Sequence, residues 1–150
     1  MNSPVAEIAV VAQVVGSVGM FGVIWVVQVV HYPLMRFVAA DRFARFETAH
    51  RVRISWVVGP LMVVEGVCVL AFLFAPPAGL TWWLPWAGAA AEAVAIGTTA
   101  FVSAPLHERL NARFDTATLD RLVATNWIRT AAWTARAALA IAMLVAVLGR

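Results

Sequence analysis

His31, His50 and His107 are the only histidines in the chain, and each stands where an apolar run gives way to polar residues. An imidazole near neutral pH serves as acid, base or metal ligand, so three of them at such boundaries is the first feature to explain. Glu47 precedes His50 by three residues in "RFETAHRVR", residues 45 to 53. On a helix that spacing puts the carboxylate and the imidazole on one face, as in the Glu-x-x-His element of carboxylate-bridged metal sites. A second polar set, Asn126, Trp127, Arg129 and Thr130, opens another apolar run as "NWIRT". A third, Glu65, Glu92 and Arg136, lies deep inside apolar stretches.

Several chemistries fit parts of this inventory. A two-metal carboxylate site in a helix bundle needs a second Glu-x-x-His unit. The chain has one, because His107 and Glu108 are adjacent and project in different directions. A single transition metal (iron, copper or zinc) held by His31, His50, His107 and Glu47 suits the donor types. Haem b between histidines on facing helices is a further candidate cofactor. Without a cofactor, His50 and His107 would act as acid–base groups, with Arg129 beside them. Asn126, Trp127 and Arg129 would then hold an oxygen-bearing group of the substrate. Equally, polar residues at helix ends are ordinary interfacial chemistry, and polar stripes can simply join helices.

The elements that must position these groups are membrane helices. Of the residues 63% are hydrophobic and 13% charged, against about 45–50% and about 25% in a soluble domain; the mean hydropathy is +0.85. The fold class is therefore all-α, a bundle of four transmembrane helices in a single domain over residues 1–150, with spans near residues 6–30, 54–74, 82–103 and 122–148. The first apolar stretch has neither the basic lead nor the cleavage site of a signal peptide, so it counts as a span. Every basic side chain is an arginine. Arg36, Arg42, Arg45, Arg51 and Arg53 fall between spans one and two, and Arg109, Arg113 and Arg121 between spans three and four. The positive-inside rule places both connections in the cytoplasm and both termini outside an inner (plasma) membrane. Arginines gathered in this way point to lipid headgroups and topology, not to nucleic acid. Tryptophans at 82, 83 and 86 mark one interface, and Trp56 and Trp127 the other. Cys68 sits alone in an apolar run, so no disulfide framework exists.

In the first connection, Phe43, Phe46, His50 and Ile54 recur at helical spacing, which predicts an amphipathic extension leading into span two, capped by Asp41 and bending at Gly59-Pro60. Asp115 or Thr116 should cap the helix that becomes span four. "HYPLMRF" and "APLHERL" share a Pro-Leu step, which hints at a parallel internal repeat.

With that topology all the histidines lie at the cytoplasmic end, along with Glu47, Asn126 and Arg129. Gln13 and His31 are eighteen residues apart, as are Glu47 and Glu65, about five turns in each case, so each pair shares a face. The stripes predict a polar pocket open toward the cytoplasm. A charge at bilayer centre costs at least ~2.5–3.5 kcal/mol on insertion scales, so Arg136 should pair with Glu65 or Glu92.

"PLHERL", residues 105 to 110, and "NWIRT", residues 126 to 130, resemble the Pro-Leu-(Asn/His)-x-x-Leu and Asn-x-x-Arg-Thr pattern of the anthrone-oxygenase-like family of small four-helix membrane proteins. The resemblance implies a four-helix membrane fold over most of the chain and, for the fungal members, an oxygenase acting on a polycyclic aromatic. By the same resemblance His107, Asn126 and Arg129 are family-type positions, although the oxygenases are expected to carry asparagine where His107 stands. The functional expectation is an oxidoreductase, oxygenase-like and either metal-dependent or acid–base, acting on a lipophilic quinone or aromatic at the bilayer. The alternatives are a non-enzymatic membrane subunit, or a proton or solute carrier using Glu65, Glu92 and Arg136. Four short helices would need to form a homo-oligomer for the last role.

Overall fold

The computed structural model describes residues 4–149. Residues 1–3 and Arg150, the tips that the topology rule assigns to the outside, lie outside the described residues. The rest folds into four helices, each long and apolar enough to cross a membrane: α1 (Pro4–Phe37), α2 (Ala40–Phe74), α3 (Trp83–Ala112) and α4 (Thr116–Leu148). Each outruns the stretch of sequence expected to span, because the helices continue into their polar ends. α1 packs against α2 and α4, and α3 packs against the same two, so the helices close a four-membered ring. Short connections make sequence neighbours antiparallel.

The connections are built from local chemistry. Val38 and Ala39 are extended and turn α1 into α2 without further residues. Ala39, with no side-chain bond, caps α2; Asp41 falls inside the first turn, where its charge favours the helix dipole instead of capping. Between α2 and α3 the Leu80 amide donates to the Pro77 carbonyl at 3.3 Å, and Gly79 sits at φ 105°, where an L side chain is disfavoured. Asp115 caps α4 as expected: its carboxylate accepts from the Thr118 amide at 2.9 Å and the Thr118 hydroxyl at 2.7 Å. Those two bonds hold its carboxyl below the usual aspartate range.

Prolines shape the helices in two ways. α2 runs unbroken through Pro60. α1 and α3 instead each contain a π turn, at Val27–His31 and Thr99–Ser103, six residues ahead of Pro33 and Pro105 respectively. A proline ring crowds the carbonyl four residues back and cannot donate to it. The wider turn relieves that crowding, and the amides of Tyr32 and Ala104 reach back to the carbonyls of Val27 and Thr99. The two Pro-Leu steps noted in the sequence thus mark matching features of α1 and α3.

Inside the ring, apolar and polar layers alternate. At the arginine-rich end Tyr32, Phe43, Leu106, Leu110 and Leu119 pack together. Midway lies a plug of Met20, Ile24, Ala95 and Trp133. Beyond it is a charged layer, closed at the far end by Val10, Phe72, Leu84 and Met143. In the charged layer Arg136 Nε stands 3.0 Å from Glu65 Oε2 and 3.5 Å from Glu92 Oε2. Ser17 Oγ donates to Glu65 Oε2 at 2.7 Å. Arg136, Glu65, Ser17 and Gln13 are fully buried, so three helices meet at one guanidinium and the fourth adds a hydroxyl. Helix α1 approaches closely only because Gly16 has no side chain: a Cβ there would lie 2.8 Å from Glu65 Oε1.

Gly16→Ala is expected to lower stability by ~1–3 kcal/mol through overpacking. At Gly22, where an added Cβ meets nothing within 4 Å, alanine should be neutral or stabilise by up to ~1 kcal/mol. Unfolding in mixed micelles by detergent titration checks both; equal effects at the two glycines would contradict the packing described.

Candidate functional site

At the arginine-rich end the four helices bring most of the expected residues together. His31 comes from the π turn of α1, His50 from the second turn-pair of α2, His107 from α3 just past its own π turn, and Arg129 from α4. The His31 and His50 rings stack with centroids 4.3 Å apart, and His50 lies 5.7 Å from His107. Phe46, one turn before His50, stacks on both His31 and His50.

His107 is held at both nitrogens. Its Nδ1 lies 2.5 Å from Glu47 Oε1, and its Nε2 lies 2.8 Å from the Tyr32 hydroxyl. A carboxylate only accepts, so Nδ1–H donates to Glu47, and Nε2 accepts from the tyrosine O–H. The carboxylate fixes the tautomer, and a hydroxyl stands at the other nitrogen. Glu47 is fully buried and His107 nearly so. The Arg129 guanidinium lies beside the same tyrosine hydroxyl.

These groups line a cavity of about 240 Å³ reached by all four helices, whose walls include Tyr32, His50, His107, Arg129, Thr99 and Ser103. Ser103 Oγ is buried without a hydrogen-bond partner, as is Arg129 Nε, so the walls offer unused donors.

The geometry gives no support to the expected metal on His31, His50, His107 and Glu47. Among the described residues no group of three His, Cys, Asp or Glu side chains is placed to hold a metal ion. The His31 and His50 rings meet face to face, which turns their in-plane lone pairs away from a common point, and both nitrogens of His107 already have partners. The layer was foreseen; the ligand set was not there.

Two expected substrate contacts also lie elsewhere. Trp127 is half exposed on the outer surface, edge-on to Trp25 at 5.7 Å. Asn126 is fully buried and works between helices: its Nδ2 donates to Gln28 Oε1 at 2.7 Å, and its Oδ1 accepts from Arg129 Nη1 at 3.0 Å. Asn126 therefore positions Arg129 and fastens α4 to α1. Arg136 does lie between Glu65 and Glu92, but in the charged layer beyond the apolar plug, away from the cavity. Tyr32 and Ser103 were not singled out from sequence. Their signal was the pair of Pro-Leu steps, since a proline inside a helix forecasts a local change of turn.

No protein-family model, curated protein or solved structure matches the chain.

Arg136→Met should cost ~3–5 kcal/mol, because two buried carboxylates lose their counter-charge. Adding Glu65→Gln and Glu92→Gln to Arg136→Met should restore most of that loss. Detergent-titration unfolding of the single and triple variants measures both, and a triple variant no more stable than the single one would remove the charge argument.

Proposed function

We propose that the cavity binds the oxygen-bearing ring of a lipophilic phenol, quinol or related aromatic and works on it by acid–base chemistry, as a dioxygen-using oxidoreductase at the cytoplasmic side of the inner membrane. The observation that supports this reading is the chain of bonds from Glu47 through His107 to Tyr32, ending in a cavity beside Arg129. His107 Nε2 takes the proton of a substrate hydroxyl, directly or through the Tyr32 hydroxyl. Glu47 steadies the imidazolium that results. Arg129, oriented by Asn126, favours the phenolate so formed. Such an anion gives up electrons far more readily than its parent phenol. Oxidation of a hydroquinone then releases an electron pair and its protons, and dioxygen, reduced to hydrogen peroxide, is the acceptor. His50 and His31, stacked beside this chain, complete the wall.

The resemblance of "PLHERL" and "NWIRT" to the anthrone-oxygenase pattern supports the same class of substrate. Orientation rests on the arginines of the two connections, which favour a cytoplasmic address for the cavity. A second reading, a proton or solute carrier, draws support from the charged layer, where Glu65 Oε1, Gln13 Oε1 and both terminal nitrogens of Arg136 lack hydrogen-bond partners. In that case Glu65→Gln and Glu92→Gln should abolish function while His107→Gln leaves it intact.

A naphthol probe separates the readings, because its absorbance and emission distinguish phenol from phenolate. Bound to the purified protein, it should ionise at a pH below its range in free solution. His107→Gln should lose that effect, and turnover of an oxidisable quinol should fall by ~10²–10⁴-fold; Glu47→Gln should act in the same direction and Tyr32→Phe less strongly. Unchanged ionisation in a folded His107→Gln variant would sink the acid–base reading.

A further inference from the structure

A second and larger cavity, about 560 Å³, lies as a groove between α1 and α2, walled by Gly22, Val26, Ala49 and Val57. It adjoins the first. Val23, Val27, His50 and Ile54 line both spaces, so His50 is a common wall between an apolar groove and the polar cavity. His31 lines the groove, and its Nε2 is buried with no hydrogen-bond partner. Arg53 stands in the same lining, the one charged side chain among those named for this groove. Gly22 contributes empty space, since a Cβ at that position would meet nothing within 4 Å.

We propose that the ligand is an amphiphile, with its oxygenated ring in the inner cavity and a hydrocarbon tail in the α1/α2 groove, reached sideways from the bilayer past His50. This rests on the reading of the inner cavity as a ring site and adds the tail and the route. Shape carries the assignment. A free aromatic ring needs only the inner space of about 240 Å³, whereas the adjoining groove offers a further, mostly apolar space of about 560 Å³. The floor of the groove is aliphatic, and its polar members, His31, His50 and Arg53, are where a head would turn inward. Lipid chains are as apolar as the groove, so burying a tail there yields little net driving force. The groove selects and aligns a tailed ligand; the polar contacts inside supply the affinity.

Photolabelling tests the tail directly. The probe is a naphthol bearing a hydrocarbon tail that ends in a diazirine. A phosphocholine with the same tail serves as comparison, and tail-less naphthol as competitor. The naphthol probe should label Val26, Ala49 or Val57 about tenfold more than the lipid-facing Val15, and excess tail-less naphthol should suppress that labelling. Gly22→Phe, which adds a ring to the groove at a position where a Cβ meets nothing within 4 Å, should cut labelling about tenfold while tail-less naphthol still binds within about twofold of wild type. Equal labelling of the groove by the phosphocholine probe would mean ordinary annular lipid and overturn the proposal. Labelling unaffected by Gly22→Phe would overturn it too. If tail-less naphthol fails to bind while groove labelling still depends on Gly22, the ring-site reading falls and the tail subsite stands. If neither probe engages the protein, both fall.

Discussion

The charge of Arg136 is the constraint around which the bundle is arranged. A guanidinium buried to zero exposure among apolar helices cannot stay charged without partners. It finds them on two other helices, at Glu65 of α2 and Glu92 of α3, while α1 offers Ser17 to Glu65. Apolar faces slide past one another at little cost in a bilayer, where lipid is as good a neighbour as leucine. Charged partners do not slide. Pairing therefore sets the axial register of three helices, and Gly16 lets the fourth close on the same point. From that register, residues some distance toward the arginine-rich end arrive opposite one another: His31 opposite His50, Glu47 opposite His107, Gln28 opposite Asn126.

Much of this was legible in the residues. The helices, the pairing of Arg136 with a buried glutamate (it meets both Glu65 and Glu92), the cap at Asp115 and the gathering of histidines at one depth all follow from composition and helical phase. Part of what escaped has its physical origin in α1. A phase computed at a constant angle per residue puts His31 on the same face as Gln13. The π turn at Val27–His31 holds an extra residue, so beyond it the core-facing position passes to the next residue. Tyr32, not His31, is then the fully buried side chain, and its hydroxyl reaches His107. His31 is left on the groove side. The proline that causes this change is plain in the sequence, but nothing local says whether a helix will answer a proline with a wider turn, as α1 does at Pro33, or run through it, as α2 does at Pro60.

The histidine layer shows why proximity and coordination are different claims. Three imidazoles at one depth satisfy any count of donor atoms. A metal needs lone pairs aimed at one point, which lie in the ring planes, whereas stacking aligns the faces. Here Phe46 packs parallel to His31 and His50 and fixes them in the stacked arrangement. Both nitrogens of His107 are taken, by Glu47 and Tyr32. A carboxylate at one ring nitrogen and a hydroxyl at the other is what proton transfer requires, because it defines which nitrogen takes the proton and what stabilises the result.

The two polar layers are kept apart by Met20, Ile24, Ala95 and Trp133, and that separation bears on what each can do. Proton movement needs hydrogen-bonded steps, and an apolar plug supplies none. The charged layer beyond it is closed on its other side by Val10, Phe72, Leu84 and Met143. Its groups therefore face each other and not a path, which suits a keystone better than a conduit. The histidine cavity is different in kind. It has unfilled space, unpartnered Ser103 and Arg129 atoms, and a lateral neighbour in the α1/α2 groove. Its polar groups are held by their neighbours, yet leave donors over with room beside them.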